Sequence, residues 1–221
     1  MEKIGLFQGL GFVVLSYLIG SISTGVVLSK LFGRGDLQSA GSKNIGATNV
    51  SRLMGLKWGI LTLVGDALKG MLVVWIGRRV FGSASASALF LVALMGLAVF
   101  LGHLFPVFLR FKGGKGVATA LGIFLIIGPK AVWIALSLFI LVVGVGKYVS
   151  LGSITAAAAF PLLMLLFDYP AYNIFLAAAV SLGVILKHTE NIKRLVRGEE
   201  KPWRSKGDPP EQRGEETGEK R

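Results

Sequence analysis

Residues 117–186 form a run of 70 residues that carries three charges, Lys130, Lys147 and Asp168. A soluble fold does not tolerate this, because soluble domains carry about 25% charged residues and spread them over a wetted surface. A bilayer accepts it. In hydrocarbon each backbone N–H and C=O must find a partner inside its own segment, so the run has to be helical. A crossing takes about 20 apolar residues at ~1.5 Å of rise each. Gly128-Pro129, residues 144–147 and Asp168-Tyr169-Pro170 punctuate the run. They divide it into four helices of roughly 12 to 18 residues. The first of these, 117–127, is short for a full crossing and suits a half-helix or a re-entrant segment.

Residues 4–29, 58–77 and 80–109 are the other apolar runs. The first follows Met-Glu-Lys, is too long for a signal-peptide core and precedes no A-x-A cleavage site, so it reads as a retained helix. The second holds Asp66 and Lys69, three residues apart and therefore on one helix face. Charges inside a span are costly and usually face a bundle interior. The pair therefore reads as a structural ion pair that fixes helix packing. The third run is interrupted only by His103.

The expected fold is an all-α, polytopic integral membrane helix bundle. If the polar segments between the runs build one site, they must share one side of the membrane. Parity then gives seven transmembrane helices, with the N-terminus outside and the C-terminus cytoplasmic, or five if two of the four short helices do not cross. Most Lys and Arg of the connecting segments then lie inside, as the positive-inside rule requires, with Arg78 and Arg79 as exceptions. The membrane body is expected to span 1–197. Residues 198–221, rich in Glu, Lys, Gly and Pro, are expected to be a disordered cytoplasmic tail.

The formal charge is +12, and it is unevenly spread. Residues 1–197 hold 18 Lys and Arg against five acids, Glu2, Asp36, Asp66, Asp168 and Glu190. Such a body suits anionic headgroups of membrane lipids and anionic substrates. The cations lie in short loops between apolar runs, which argues against nucleic acid. The absence of cysteine excludes disulfides, thiolate catalysis and Cys-ligated metals. Two His and few carboxylates make a multi-ligand metal site unexpected.

Three polar segments stand out. Residues 39–52, SAGSKNIGATNVSR, offer hydroxyls on Ser42 and Thr48, amides on Asn44 and Asn49, and the cation Arg52, without any carboxylate. Gly41 and Gly46 allow backbone to approach a ligand, an arrangement that suits phosphate. Residues 110–119 place Lys112, Gly113, Gly114 and Lys115 directly before a helix, whose N-terminus favours anions. The spacing fails the nucleotide P-loop pattern, because Leu109 stands where the first glycine belongs and Gly116 follows the lysine. Residues 187–197 place His188 and Asn191 on one helix face at the end of the last span. There the imidazole can donate to phosphate or exchange a proton. Ser150 and Ser153, beside Lys147, can add hydroxyls. No carboxylate pair, Ser-His-Asp grouping or nucleophile elbow accompanies them. An enzyme built from these parts works by positioning and electrostatics.

Gly41-Ser42-x-Asn44-Ile45-Gly46-Ala47-Thr48-Asn49 followed by Arg52 resembles the first motif of the bacterial PlsY family, the acyl-phosphate:glycerol-3-phosphate acyltransferases. Asp66-x-x-Lys69-Gly70, His103-x-Phe105-Pro106, residues 112–119 and His188-x-x-Asn191-Ile192 are similar to further family signatures, in family order. Lys43 departs from the pattern, which often has glycine after the serine. The resemblance implies a seven-span enzyme of the bacterial cytoplasmic membrane. It would move a fatty acyl group from acyl phosphate to glycerol 3-phosphate, giving lysophosphatidic acid and phosphate, without a cofactor or an obligate protein partner. It further implies that Ser42, Asn44 and Arg52 hold substrate phosphate, with Thr48, Asn49, Lys112, Gly113 and Gly114 around them. Lys115 and His188 would be essential together with Ser42, and Asn191 and Ser153 would assist. The proton acceptor is left open between His188 and a substrate phosphate oxygen.

A carrier for phosphorylated or other anionic metabolites is the rival reading, since intramembrane charge and broken helices suit transport too. Carriers often show two corresponding halves, and none is evident. The polar groups also gather on one side rather than at the midplane.

Overall fold

The structure, a computed structural model, describes residues 6–33, 35–82 and 85–203. Among them are ten α-helices and no strand. The first apolar run is not one straight helix. It breaks into α1 (Leu6–Ser21) and α2 (Thr24–Leu31), which meet at 46°. The break is stabilised from α4 (Leu56–Phe81). Lys69 Nζ donates to the carbonyls of Gly20 and Ile22 at 3.0 and 2.8 Å. Asp66 Oδ1 accepts from the backbone N–H and hydroxyl of Thr24. The two charges lie 2.9 Å apart and are almost fully buried. Backbone groups freed inside a membrane must be re-satisfied by protein, and this pair does so. A polar connection then leads into α3 (Ala47–Met54) and, after Gly55, α4.

Next comes α5 (Ala86–Leu104), extended by a 3-10 turn, Val107–Leu109. The long run yields α6 (Val117–Ile127), α7 (Pro129–Gly146), α8 (Val149–Leu166) and α9 (Ala171–Lys187), parted where Gly, Pro and Lys147 punctuate the sequence. α9 bends by 56° into α10 (Thr189–Val196). Among the described residues four stretches, α4, α5 with its extension, α7 and α8, are long and apolar enough to cross a membrane, and the number rises to six if each bent pair is one span. α6 is shorter than a crossing needs.

α1 packs on α5, α4 on both α5 and α6, and α7, α8 and α9 stack in chain order. Helices in lipid gain little from hydrophobic association, so close backbone approach matters. A Cβ on Gly122 of α6 would overlap the Ala67 carbonyl of α4. A buried core of Val74, Val99, Phe100, Ile123, Met164 and Ala177 fills the centre. Exposed Trp133, Leu141, Val145 and Phe175 give the outer faces an apolar, lipid-compatible surface. Arg79 lies 5.3 Å from the Trp75 ring, a pairing suited to the membrane interface.

Candidate active site

A cavity of about 640 Å³ opens between α3 and α4 on one side and α6 to α10 on the other. One end is polar and basic, and the other is mainly apolar, with Ser181 as a hydroxyl beside Val180.

The polar end begins with the segment before α3. Asn49 organises it. Its Oδ1 accepts from Ser42 N at 2.8 Å, and its Nδ2 faces the carbonyls of Leu37, Ala40 and Asn44. Asn49 is 1% exposed, and its amide holds the loop while the residue lines the cavity. Asn44 Oδ1 accepts from Gly46 N in a local turn. Lys43 takes φ +55°, left-handed backbone that favours glycine and accounts for the usual family residue. The loop brings Ser42 and Asn44 to the cavity wall, Thr48 joins them from the N-terminal turn of α3, and Arg52 lines the wall from its last turn.

Lys115 approaches from the loop before α6. That loop is tied down on both sides: Gly114 N donates to the His103 carbonyl, and Gln38 Nε2 donates to the Lys112 carbonyl. Gly113 and Gly114 pack against the end of α5, where a Cβ on either would overlap the His103 carbonyl or ring. Lys112, Gly113 and Gly114 therefore stand outside the cavity, contrary to the expected ligand contact. Their glycines admit a protein neighbour, and only Lys115 reaches inward. Its ammonium hydrogen-bonds Asn191 Oδ1. Burial pushes its pKa down to about 8, against the opposing pull of Glu200 and with help from Arg194 and Arg52.

His188 sits between α9 and α10 and is 2% exposed. Its Nδ1 is 2.8 Å from the Val184 carbonyl. A carbonyl is met only by an N–H, so Nδ1 carries the proton and Nε2 of the neutral ring is an acceptor. Ser150 and Ser153 line the same region from α8. The Ser153 hydroxyl donates to Val149 O in its own helix.

The expected disordered tail does not begin at Gly198. Gly198, at φ +71°, ends α10 in a Schellman turn, with Glu199 N on Arg194 O and Gly198 N on Leu195 O. The turn sends Glu200 back into the cavity. Its carboxylate accepts from Ser150 Oγ, Asn191 Nδ2 and Arg194 Nε, each at 2.7 Å. Burial pushes its pKa up, but these three donors outweigh burial and hold it below the usual carboxylate range. Arg52 reaches the carbonyls of Lys201 and Pro202, and Trp203 N donates to Lys147 O. The remainder of the tail, 204–221, lies outside the described residues. Glu200 and Arg194 are site residues that the sequence reading missed. The glycine at 198 was the available signal for the turn, and nothing local marks the carboxylate's partners.

The glycerol-3-phosphate acyltransferase family profile matches residues 10–198. The chain belongs to this family. Among its relatives, the glycerol-3-phosphate acyltransferase of Syntrophotalea carbinolica is 48% identical over 193 residues, covering 87% of this chain and 96% of its own. That of Aquifex aeolicus is 42% identical over 196 residues, covering 87% and 98%. Among solved structures, PlsY, an integral membrane glycerol 3-phosphate acyltransferase, in its glycerol 3-phosphate form superposes with a TM-score of 0.82 at 40% identity, covering 88% of this chain and 95% of that one. Its lysophosphatidic acid form gives 0.78 at 39%, with the same coverage. The protein is thus a membrane-integral glycerol-3-phosphate acyltransferase of the PlsY fold, and its cavity is the place to look for the acyl transfer.

Proposed function

We propose that the acyl donor is an acyl phosphate and that the products are lysophosphatidic acid and inorganic phosphate. The observation that carries this reading is the cavity's division: Lys115, Asn191, His188 and Arg52 gather at one end, and the other end is lined mainly by apolar side chains. Both substrates then present phosphate to the same basic mouth while the acyl chain enters the apolar part.

In the reaction a glycerol 3-phosphate hydroxyl oxygen attacks the acyl carbonyl carbon. An ester C–O bond forms, the C–O bond to phosphate breaks, and phosphate leaves with the electron pair. An acyl phosphate is already an activated anhydride, so the step calls for no covalent enzyme intermediate, cofactor or metal. The main electrostatic task is to stabilise charge on the carbonyl oxygen and on the departing phosphate. Lys115 supplies a partly buried cation for it, while Ser42, the N-terminal turn of α3 with Thr48, and Arg52 from the last turn of α3 supply donors for the second phosphate. The hydroxyl proton goes to His188 Nε2 or to a substrate phosphate oxygen. Near-normal turnover in His188→Gln would exclude the imidazole.

The reaction is assigned to the cytoplasmic face of a bacterial inner membrane, with seven helical passes, the bent α1–α2 and the short α6 included, and the N-terminus outside. The basic connecting segments support this orientation through the positive-inside rule. We extend the catalytic unit to at least residue 203, because Glu200 and Trp203 line the cavity. The test is product formation by purified protein in detergent with glycerol 3-phosphate, palmitoyl phosphate or palmitoyl-CoA, and a metal chelator. Lysophosphatidic acid from the acyl phosphate alone is the expected result. Product from the thioester alone would overturn the donor assignment.

A further inference from the structure

The apolar half of the cavity has a closed floor. Four helices line it, and each contributes a deepest residue: Phe124 from α6, Val132 from α7, Phe160 from α8 and Val180 from α9. All four are buried, at 3, 3, 7 and 2% exposure. The Phe124 and Phe160 rings touch, with centroids 4.6 Å apart. Behind them lie Ile127, Ala131 and Met164, so the space does not continue. Just above the floor the α8 wall is small, with Ala156 and Ala157, while Leu121 on α6 and Leu136 on α7 flank Ala135 opposite.

The depth follows from helix rise. From Ser153 to Phe160 on α8, and from His188 to Val180 on α9, the wall descends about 10 to 12 Å at ~1.5 Å per residue. With single bonds of ~1.5 Å and angles of ~111°, an extended alkyl chain advances about 1.25 Å per carbon, so this depth holds roughly eight to ten carbons. Along α4 the cavity wall includes Ile60 and Leu63, which are 52 and 44% exposed. A longer chain therefore has a way out towards lipid, but only by turning before the floor.

We propose that the Phe124–Phe160 pair sets the acyl-chain length that the enzyme can use to full advantage. This rests on the acyl-phosphate reading above. Carbons added up to the floor gain apolar burial. Carbons beyond it gain none and force the chain to turn. Phe160 is thus a specificity-determining residue, and Ala157, one helical turn nearer the mouth on the same face, is the position at which the floor can be raised.

The test is a competition among octanoyl, dodecanoyl and hexadecanoyl phosphates mixed in the same micelles, with product ratios read by mass spectrometry. Taking each variant's ratio over that of wild type cancels unequal partitioning into micelles. Phe160→Ala is expected to raise hexadecanoyl over octanoyl product about tenfold, and Ala157→Phe to lower it by about as much, the scale at which apolar pockets discriminate. A merely structural defect lowers all three products together and leaves the ratios alone. Unchanged ratios in an active Ala157→Phe protein overturn the inference, even if Phe160→Ala fails to fold. A wild type that makes no lysophosphatidic acid from any of the three overturns the acyl-phosphate reading instead.

Discussion

Lys115 gives the account a sharp dependence on pH. Burial lowers its pKa to about 8, and Glu200 opposes that shift. At pH 7 about nine-tenths of the ammonium is charged, and at pH 9 about one-tenth, whereas an ordinary lysine stays charged throughout. If the charged form binds and stabilises phosphate, kcat/KM for the free enzyme is flat below pH 8 and falls about tenfold per pH unit above it. A bound phosphate favours the charged form, so the corresponding limb in kcat moves to higher pH. Glu200→Gln removes a charge that raises the lysine's pKa, and its limb moves to lower pH. In Lys115→Arg the guanidinium does not titrate, so the residual activity loses the limb. The assay is initial-rate phosphate release from pH 6.5 to 9.5, corrected for spontaneous hydrolysis of the donor. An unchanged limb near pH 8 in an active Lys115→Arg enzyme would refute the assignment.

Lys69→Met leaves Asp66 unpaired in the membrane interior and strips the Gly20 and Ile22 carbonyls, so it is expected to destabilise by about 3 to 5 kcal/mol, read as a lowered melting temperature in detergent. Gly122→Leu drives a side chain into the Ala67 carbonyl and should abolish recovery of folded protein. Gly144→Ala, in α7 with open space around it, should instead raise stability by about 0.5 to 1 kcal/mol. Arg194→Met removes one of three donors to Glu200. It is expected to lower the melting temperature slightly, because Arg194 is 37% exposed and solvent screens the pair.

The breaks of the long apolar run were readable because they are local. Gly128-Pro129, Lys147 and Asp168-Tyr169-Pro170 interrupt helices through their own backbone preferences. The break between α1 and α2 was not, because its partners come from Asp66 and Lys69, far along the chain. In the site, Ser42, Arg52, Lys115 and His188 were legible as polar residues beside apolar runs. Glycine next to lysine is ambiguous from sequence, since the missing side chain can admit a ligand or a neighbouring helix. At Gly113 and Gly114 the end of α5 takes that space. The tail's composition matches disorder, yet six residues of it fold back because Ser150, Asn191 and Arg194 together hold one carboxylate. Such capture is a tertiary fact with no local signature beyond the glycine that turns the chain.

The most direct test of the central claim is lysophosphatidic acid formation from palmitoyl phosphate and glycerol 3-phosphate by purified wild type and Lys115→Ala, with melting curves for both. The account predicts product from wild type and a loss of about 100- to 1,000-fold in the variant, the usual effect of removing one preorganised electrostatic group, with little change in melting temperature. A well-folded Lys115→Ala enzyme that turns over at the wild-type rate would contradict it.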